Sequence, residues 1–344
     1  GGLLRLGAVW AGTALSGVTG RPHVGPALGT LLVTYRCNLR CGVCDLPGRA
    51  IARRRQGARE LGTRAFGAVL RDMKTLGVLG VGVTGGEPML RPDVLDILAQ
   101  GSSLGLHMHL NSDGLRVAGH ARDLLRAGVR SVNISWDGAT AAEHDARRGR
   151  AGAFEDARAA LAALRRARGR RAEPRITAVT VVTAGSLGRL EATARSALRA
   201  GADRVGVIPV HDFGRGKGRD PDPRALDQAR LVLTRLSREG RLDNSLAYAV
   251  DLLPRALCGG ESPLVCHAPC ASVVVDCYGD VYPCFPLMER DHAVGRIPLV
   301  PLWRGRAYAG ARRRLRTCRA CLWNCHAEMN LTLPPWGRGG RRSA

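Results

Sequence analysis

Leu31-Leu32-Val33-Thr34-Tyr35-Arg36-Cys37-Asn38-Leu39-Arg40-Cys41-Gly42-Val43-Cys44 is the stretch whose reading decides the fold. Leu31–Tyr35 reads as a strand, and it delivers Cys37, Cys41 and Cys44 into one tight loop at C-x3-C-x2-C spacing. Thiolates are the natural ligands of iron–sulfur clusters, which usually take four. Three from one loop leave one iron of a [4Fe–4S] cube without a protein ligand, open to bind and activate a small molecule. A structural zinc site is the competing reading, and it needs a fourth ligand. Isolated cysteines are commonly small buried hydrophobes, which three at this spacing after a strand do not resemble.

Outward from the loop, strand-like runs alternate with helical periods. A helix carries Phe66, Val69, Leu70, Met73 and Leu76 on one face and stops at Gly77. Val81–Thr84 is the second strand; Pro92 opens the next helix and Gly101 ends it. Leu106–Asn111, Ser131–Trp136, Ile176–Thr183 and Val205–Val210 are the remaining strands. Helices near Arg116–Ala127, around Phe154, Leu161 and Leu164, and over Leu187–Ala200 separate them. Six β–α repeats imply a parallel sheet wrapped by helices, curled by right-handed crossovers. Chemistry in such barrels sits at the carboxyl ends of strands. Two more helices are expected within Pro223–Arg255; after Leu257 the alternation stops and cysteines return. The expected fold is α/β: a partial (β/α)6 TIM-like barrel with a small cysteine-rich C-terminal α+β domain. The expected segments are 1–28 (helical), 29–255 (barrel), 256–330 (cysteine-rich) and 331–344 (disordered tail).

Composition narrows the function classes. Of 52 basic residues only Lys74 and Lys217 are lysine, and the net charge is +23. The arginines spread along every segment, and aromatics are only 4%, so the interleaving that stacks bases is missing. Nucleic acid is not the expected partner. The eleven cysteines fall in two groups, 37–44 and 258–325, unlike a secreted disulfide scaffold. Such grouping suits metal sites in a reducing cytosol, so a cytoplasmic location is expected. Leu3–Val18 is apolar but carries Arg5, and it is short against the roughly 20 apolar residues of a membrane span. It reads as a packing helix, and no membrane span is expected.

Other motifs end the later strands. Gly85-Gly86-Glu87-Pro88 ends the second, where glycines let a ligand approach the backbone and Glu87 can hold an ammonium group; a plain Gly-Gly turn is the bland alternative. Asn111–Gly114 and Ser135–Gly138 could be ordinary turns. Gly214–Gly218 lacks Walker spacing and reads as a flexible loop. Near the C-terminus, Cys266 and Cys270 precede a hairpin of Ser272–Asp276 and Val281–Cys284 turning at Gly279. Trp303 and Leu315 frame a helix before Cys318, Cys321, Cys325 and His326. A hairpin with cysteines plus a later C-x2-C equally fits a zinc ribbon.

The cysteine loop, followed one β–α unit later by Gly85–Pro88, resembles the radical S-adenosylmethionine (radical SAM) superfamily over roughly Leu31–Met329. Val43 replaces the aromatic residue usual before the third cysteine, and Trp136 an aliphatic one. The resemblance implies a [4Fe–4S] cluster and S-adenosylmethionine, with Gly85, Gly86, Glu87 and Pro88 at the methionine amino group. It implies Ser135 near the ribose or carboxylate and Arg148 reaching the carboxylate. The C-terminal part resembles the SPASM/Twitch extension, which binds auxiliary [4Fe–4S] clusters. Cys266, Cys284, Cys318 and Cys321 match its ligands, and Cys270 and Cys325 are further candidates; Cys258 and Cys277 read as plain thiols. The five-residue step of the longer pattern is missing, so one and two auxiliary clusters both stay open.

By the same analogy an electron enters the sulfonium, a 5′-deoxyadenosyl radical forms, and it takes hydrogen from an unactivated carbon of a small-molecule or peptide substrate. The net result is an oxidation or a rearrangement, with an electron donor such as flavodoxin or ferredoxin. No general acid or base is assigned; His211 and Asp212 are candidate substrate contacts. The segment before Leu31 shows no strand alternation of a peptide-leader domain, which weighs against peptide maturation. The alternative, a basic zinc-stabilised nucleic-acid-binding protein, explains the charge and the last cysteines. It does not explain six β–α units with Gly85–Pro88.

Overall fold

The computed structural model describes residue 7 and residues 11–13, 15–17, 19–211 and 221–332. Most of the expected N-terminal helix, Asp212, Gly214–Gly218 and residues 333–344 lie outside the described residues. Six parallel strands run in sequence order: β1 (Leu28–Leu32), β2 (Gly80–Thr84), β3 (His107–Ser112), β4 (Ser131–Ser135), β5 (Arg175–Val182) and β6 (Arg204–Pro209). Between them lie α1 (Leu46–Arg55), α2 (Thr63–Leu76), α3 (Val94–Ser103), α4 (Val117–Arg126), α5 (Ala141–Arg148), α6 (Ala153–Arg168) and α7 (Leu190–Ala200). This is a partial TIM-like barrel, and one sheet continues past its first strand. β7 (Ser272–Val275) pairs in parallel with β1, and β8 (Asp280–Tyr282) and β9 (Gly295–Arg296) follow antiparallel. Among the described residues, no helix is long and apolar enough to cross a membrane.

The strands alternate because their two faces meet different media. Val81, Val83, Met108, Leu110, Val132, Ile134, Val205 and Val207 are at most 1% exposed and pack under the helices. The opposite residues, among them Gly80, Gly82, His109, Asn111, Asn133 and Gly206, face a cavity. A TIM barrel normally fills this space with branched apolar layers; three glycines and a polar set leave it open here.

The structure shifts some expected boundaries. The first strand is Leu28–Leu32 rather than Leu31–Tyr35. Val33, Thr34 and Tyr35 are buried and continue alongside the end of β2 and its Gly85-Gly86 turn, the Val33 amide donating to the Thr84 carbonyl (2.9 Å) and the Thr34 carbonyl accepting from the Gly86 amide (2.8 Å). Helix α3 begins after Pro92 and continues through Gly101, where a Cβ would stand 2.2 Å from the Met108 sulfur. That glycine is a packing notch, which sequence presents as a stop. The two helices expected within Pro223–Arg255 are both present: α8 (Pro223–Arg238), and a helical run over residues 246–257 that contains a five-residue π-helical stretch, Tyr248–Leu252, leading into α9 (Leu253–Leu257).

Candidate active site

Cys37, Cys41 and Cys44 sit in the loop between β1 and α1, at the carboxyl end of the barrel. The Cys44 amide donates to the Cys41 carbonyl (3.1 Å), and the Leu39 amide approaches the Cys37 sulfur (3.4 Å). Burial pushes the Cys37 thiol up to about 12, so a metal must displace its proton. Cys44 is exposed and lines the cavity.

The Gly85-Gly86 turn holds this loop. The Gly86 amide donates to the Thr34 carbonyl and the Glu87 amide to the Arg36 carbonyl, both at 2.8 Å. A Cβ on Gly85 would stand 2.2 Å from the Thr34 oxygen, and one on Gly86 2.1 Å from the Arg36 oxygen. Gly85 also has φ +148°, open to glycine and strained for other residues. The close approach that requires glycine is thus first of all between two backbone segments.

Of the motif, Gly85 lines the cavity; Glu87 is 1% exposed and points into a hydrogen-bonded nest. Its Oε1 accepts from the Met89 amide (2.9 Å) and the Ser112 hydroxyl (2.8 Å), its Oε2 from the Asp113 amide (2.7 Å). Burial, then the charge of Asp113, raises its pKa to about 8. Pro88 starts the short 3-10 turn Pro88–Leu90 behind the motif. The Asn111–Gly114 segment, which read as a turn, supplies Glu87 with two of its three partners.

Ser135 and Arg148 face the same cavity from β4 and the end of α5. Arg148 pairs with Asp137 (2.7 Å), and one of its terminal nitrogens stands 3.9 Å from the Cys41 sulfur. Its Nε is buried and has no hydrogen-bond partner among the described residues, so it retains a donor for an anion. Lower in the cavity, Asn111 Oδ1 accepts from Asn133 (3.0 Å), so His109 must donate to it through Nε2 (3.2 Å). His109 Nδ1 then accepts from the Ser131 hydroxyl (2.7 Å). Burial lowers the pKa of His109 to about 4, which keeps the ring neutral. These strand-borne polar residues were missed because isolated His and Asn within apolar alternation carry no spacing signal.

The C-terminal part closes the cavity. Phe285, Trp323, Cys325 and His326 line it. Trp323 stacks on His211 (4.2 Å between centroids) and on Phe285 (4.8 Å), joining the end of β6 to the cysteine-rich segment. The cavity measures about 580 Å³. Cys266, Cys284, Cys318 and Cys321 gather nearby: the Cys266 amide donates to the Cys318 carbonyl (2.9 Å). Burial raises the Cys266 thiol, and its neighbours Cys321, Cys284 and Cys318 raise it further. Burial likewise pushes Cys284 and Cys325 up to about 12, with Cys321 a neighbour of both. Cys270 is 4% exposed and its charged neighbour is Arg312. Cys277 is buried beside Asp276, and Cys258 is exposed.

Both thiol sets fit iron–sulfur ligation by chemistry: three sulfurs beside a cavity with a spare buried donor, and four or five mutually interacting sulfurs behind it. Among the described residues no three such side chains close around a single ion; a four-iron cube is larger and spaces its donors more widely.

Comparison with known proteins agrees with this geometry. A family model described as the radical SAM superfamily matches residues 31–197, and one described as an iron–sulfur cluster-binding domain, SPASM, matches residues 266–326. Mycofactocin maturase MftC of Mycobacterium ulcerans is 30% identical over 270 residues, 77% of this chain and 70% of that protein. PqqA peptide cyclase of Ruegeria pomeroyi is 29% identical over 305 residues, 84% of this chain and 78% of that protein. Other relatives are covered less: the chain spans 32% of a probable GTP 3′,8-cyclase from Methanopyrus kandleri and 51% of a PqqA peptide cyclase from Streptomyces rochei. The crystal structure of Streptococcus suis SuiB bound to S-adenosylmethionine shares the fold, with a TM-score of 0.64 at 16% identity over 86% of this chain and 72% of that one. The zinc-stabilised nucleic-acid-binding alternative finds no support among these matches. The cysteine loop on its barrel, the second thiol set behind it and a relative at 30% identity over most of both chains converge: the chain belongs to the radical SAM superfamily, with a SPASM iron–sulfur cluster-binding domain at its C-terminal end.

Proposed function

We propose that this chain activates S-adenosylmethionine at a [4Fe–4S] cluster held by Cys37, Cys41 and Cys44, and removes hydrogen from a peptide substrate in a net oxidation or rearrangement. One observation carries this reading: Cys44, Gly85, Ser135, Arg148 and Cys325 border a single cavity. When bound, the cluster and S-adenosylmethionine supply reductive cleavage of a carbon–sulfur bond and hydrogen abstraction at carbon. The protein supplies position and exclusion of water. Gly85 offers its backbone, Ser135 its hydroxyl to the ribose or carboxylate, and Arg148 its spare Nε–H to the carboxylate. Gly86, Glu87 and Pro88 act one step back, holding the turn against the cysteine loop. Cys266, Cys284, Cys318 and Cys321 hold an auxiliary cluster, and Cys325 and Cys270 are the candidates for further ligation. The barrel takes residues 29–255 and the auxiliary domain 256–330.

The names of MftC and PqqA peptide cyclase, and a SuiB structure bound to precursor peptide SuiA, support a peptide over a small molecule. Exposed Arg40 in the cysteine loop, and exposed Arg54 and Arg55 at the far end of the helix that follows it, suit an acidic one-electron donor such as flavodoxin or ferredoxin. The test is anaerobic reconstitution with dithionite and S-adenosylmethionine, reading 5′-deoxyadenosine. The parent forms it and Cys41→Ala does not. Cys284→Ala loses iron yet still cleaves the cofactor without coupling to substrate. Undiminished 5′-deoxyadenosine from Cys41→Ala contradicts the assignment.

A further inference from the structure

Arg312 is buried without an anion. It lies on the helix Arg306–Arg314 and is 2% exposed. Its guanidinium carbon stands 4.2 Å from the Trp303 ring and 4.6 Å from the Tyr308 ring. One terminal nitrogen donates to the Trp303 carbonyl (3.0 Å), while Nε and the other terminal nitrogen have no hydrogen-bond partner among the described residues. Among the described residues no carboxylate acts on it; the titratable groups near it are Tyr308 and Cys270, both of which burial holds in their neutral forms. Cys270 is 4% exposed, and Tyr308 lies within electrostatic reach of both Cys270 and Cys284.

Two ring contacts return only a fraction of what desolvating a lone guanidinium costs. Such a group persists where a negative charge arrives from elsewhere. A cluster ligated by four thiolates carries net negative charge, and reduction adds one more. Net charge and hydrogen bonds near the sulfurs are among the factors that set cluster potentials. We propose that Arg312 is a positioning residue that serves as the resident counter-charge of the auxiliary cluster, facing it across Cys270 and Tyr308 and raising its reduction potential. This rests on the auxiliary-cluster reading above.

The test uses the full chain with Cys37, Cys41 and Cys44 all changed to alanine, so that the auxiliary centre is the only iron present. This parent, Arg312→Gln and Arg312→Lys are reconstituted anaerobically, their iron and sulfide counted, and their midpoints measured by EPR-monitored titration. Arg312→Gln is expected to load iron like the parent. Its reduction equilibrium should shift at least tenfold toward the oxidised form, 59 mV for a one-electron couple. Arg312→Lys, which keeps the charge, should stay within about threefold of the parent. Equal midpoints in the parent and Arg312→Gln overturn the proposal, since a mere packing role leaves the potential unmoved. If Arg312→Gln yields no soluble loaded protein, Arg312→Met takes its place: a tenfold shift toward the oxidised form supports the proposal, and a midpoint equal to the parent's overturns it. A triple-alanine parent that binds no iron contradicts the auxiliary cluster itself and the proposal with it; a loaded parent with unmoved midpoints contradicts the proposal alone.

Discussion

Glu87 accepts hydrogen bonds from Met89, Ser112 and Asp113 while 1% exposed, and this has a consequence for stability. Burial raises its folded pKa from 4.5 to about 8. Between those values the folded chain holds a proton that the unfolded chain has released. Stability is therefore full below the unfolded value and falls as pH rises through the folded one. Urea unfolding of the as-purified chain from pH 5 to pH 8 should show a loss on the order of a few kcal/mol, since each tenfold difference in proton affinity is worth about 1.4 kcal/mol. Glu87→Gln should flatten that slope; a slope equal to the parent's would contradict the assignment to Glu87. The cysteine triad and Gly85–Glu87 were legible because their spacing is local. Two of the three partners of Glu87, Ser112 at the end of β3 and Asp113 just after it, come 25 and 26 residues on, and the sequence carries no sign of that pairing. The buried arginines were equally hidden. Arg91 donates to the Val33 and Leu61 carbonyls while 6% exposed, but one buried arginine among so many looks like any other.

At the level of elements, the cysteine loop and the Gly85-Gly86 turn behave as one unit. Gly86→Ala places a methyl 2.1 Å from the Arg36 carbonyl oxygen, a backbone atom that yields only if the loop moves. The expected outcome is loss of roughly the four irons of one cube, with the auxiliary iron retained and 5′-deoxyadenosine formation abolished. Iron and sulfide counts check this, and full loading at both sites would contradict it. The six strands were readable because their outward faces alternate apolar residues with an inner polar set. Their ends were displaced where glycine interrupts the pattern: Gly29 on the helix-facing side, where a Cβ would stand 2.8 Å from the Met73 sulfur, and Gly80 and Gly82 on the inner side give no periodic signal. Gly101 misled for the related reason that a helix can use glycine as a notch for Met108.

Across the whole molecule, the cysteine-rich segment completes the barrel's sheet. β7 lies beside β1, and the Tyr35 hydroxyl donates to Asp276 (2.7 Å) across 241 residues of chain. Trp323 adds the stack on His211. A chain cut after Gly260 leaves the long edge of β1 unpaired. It should aggregate or melt without a cooperative transition, as read by size exclusion and thermal unfolding; a monomeric, cooperatively melting fragment would contradict this. Sequence could separate the two cysteine groups but not join them, because a parallel pairing over such a separation leaves no local mark. The chemistry proposed for the whole chain starts from one open iron at the mouth of the barrel. Its most direct test is pulsed electron–nuclear resonance on the reduced, anaerobic protein with S-adenosylmethionine labelled at the methionine nitrogen and carboxylate oxygen. Hyperfine coupling of both labels to the cluster, lost in Cys41→Ala, is the predicted result. A reduced cluster that shows no coupling to either label would contradict it.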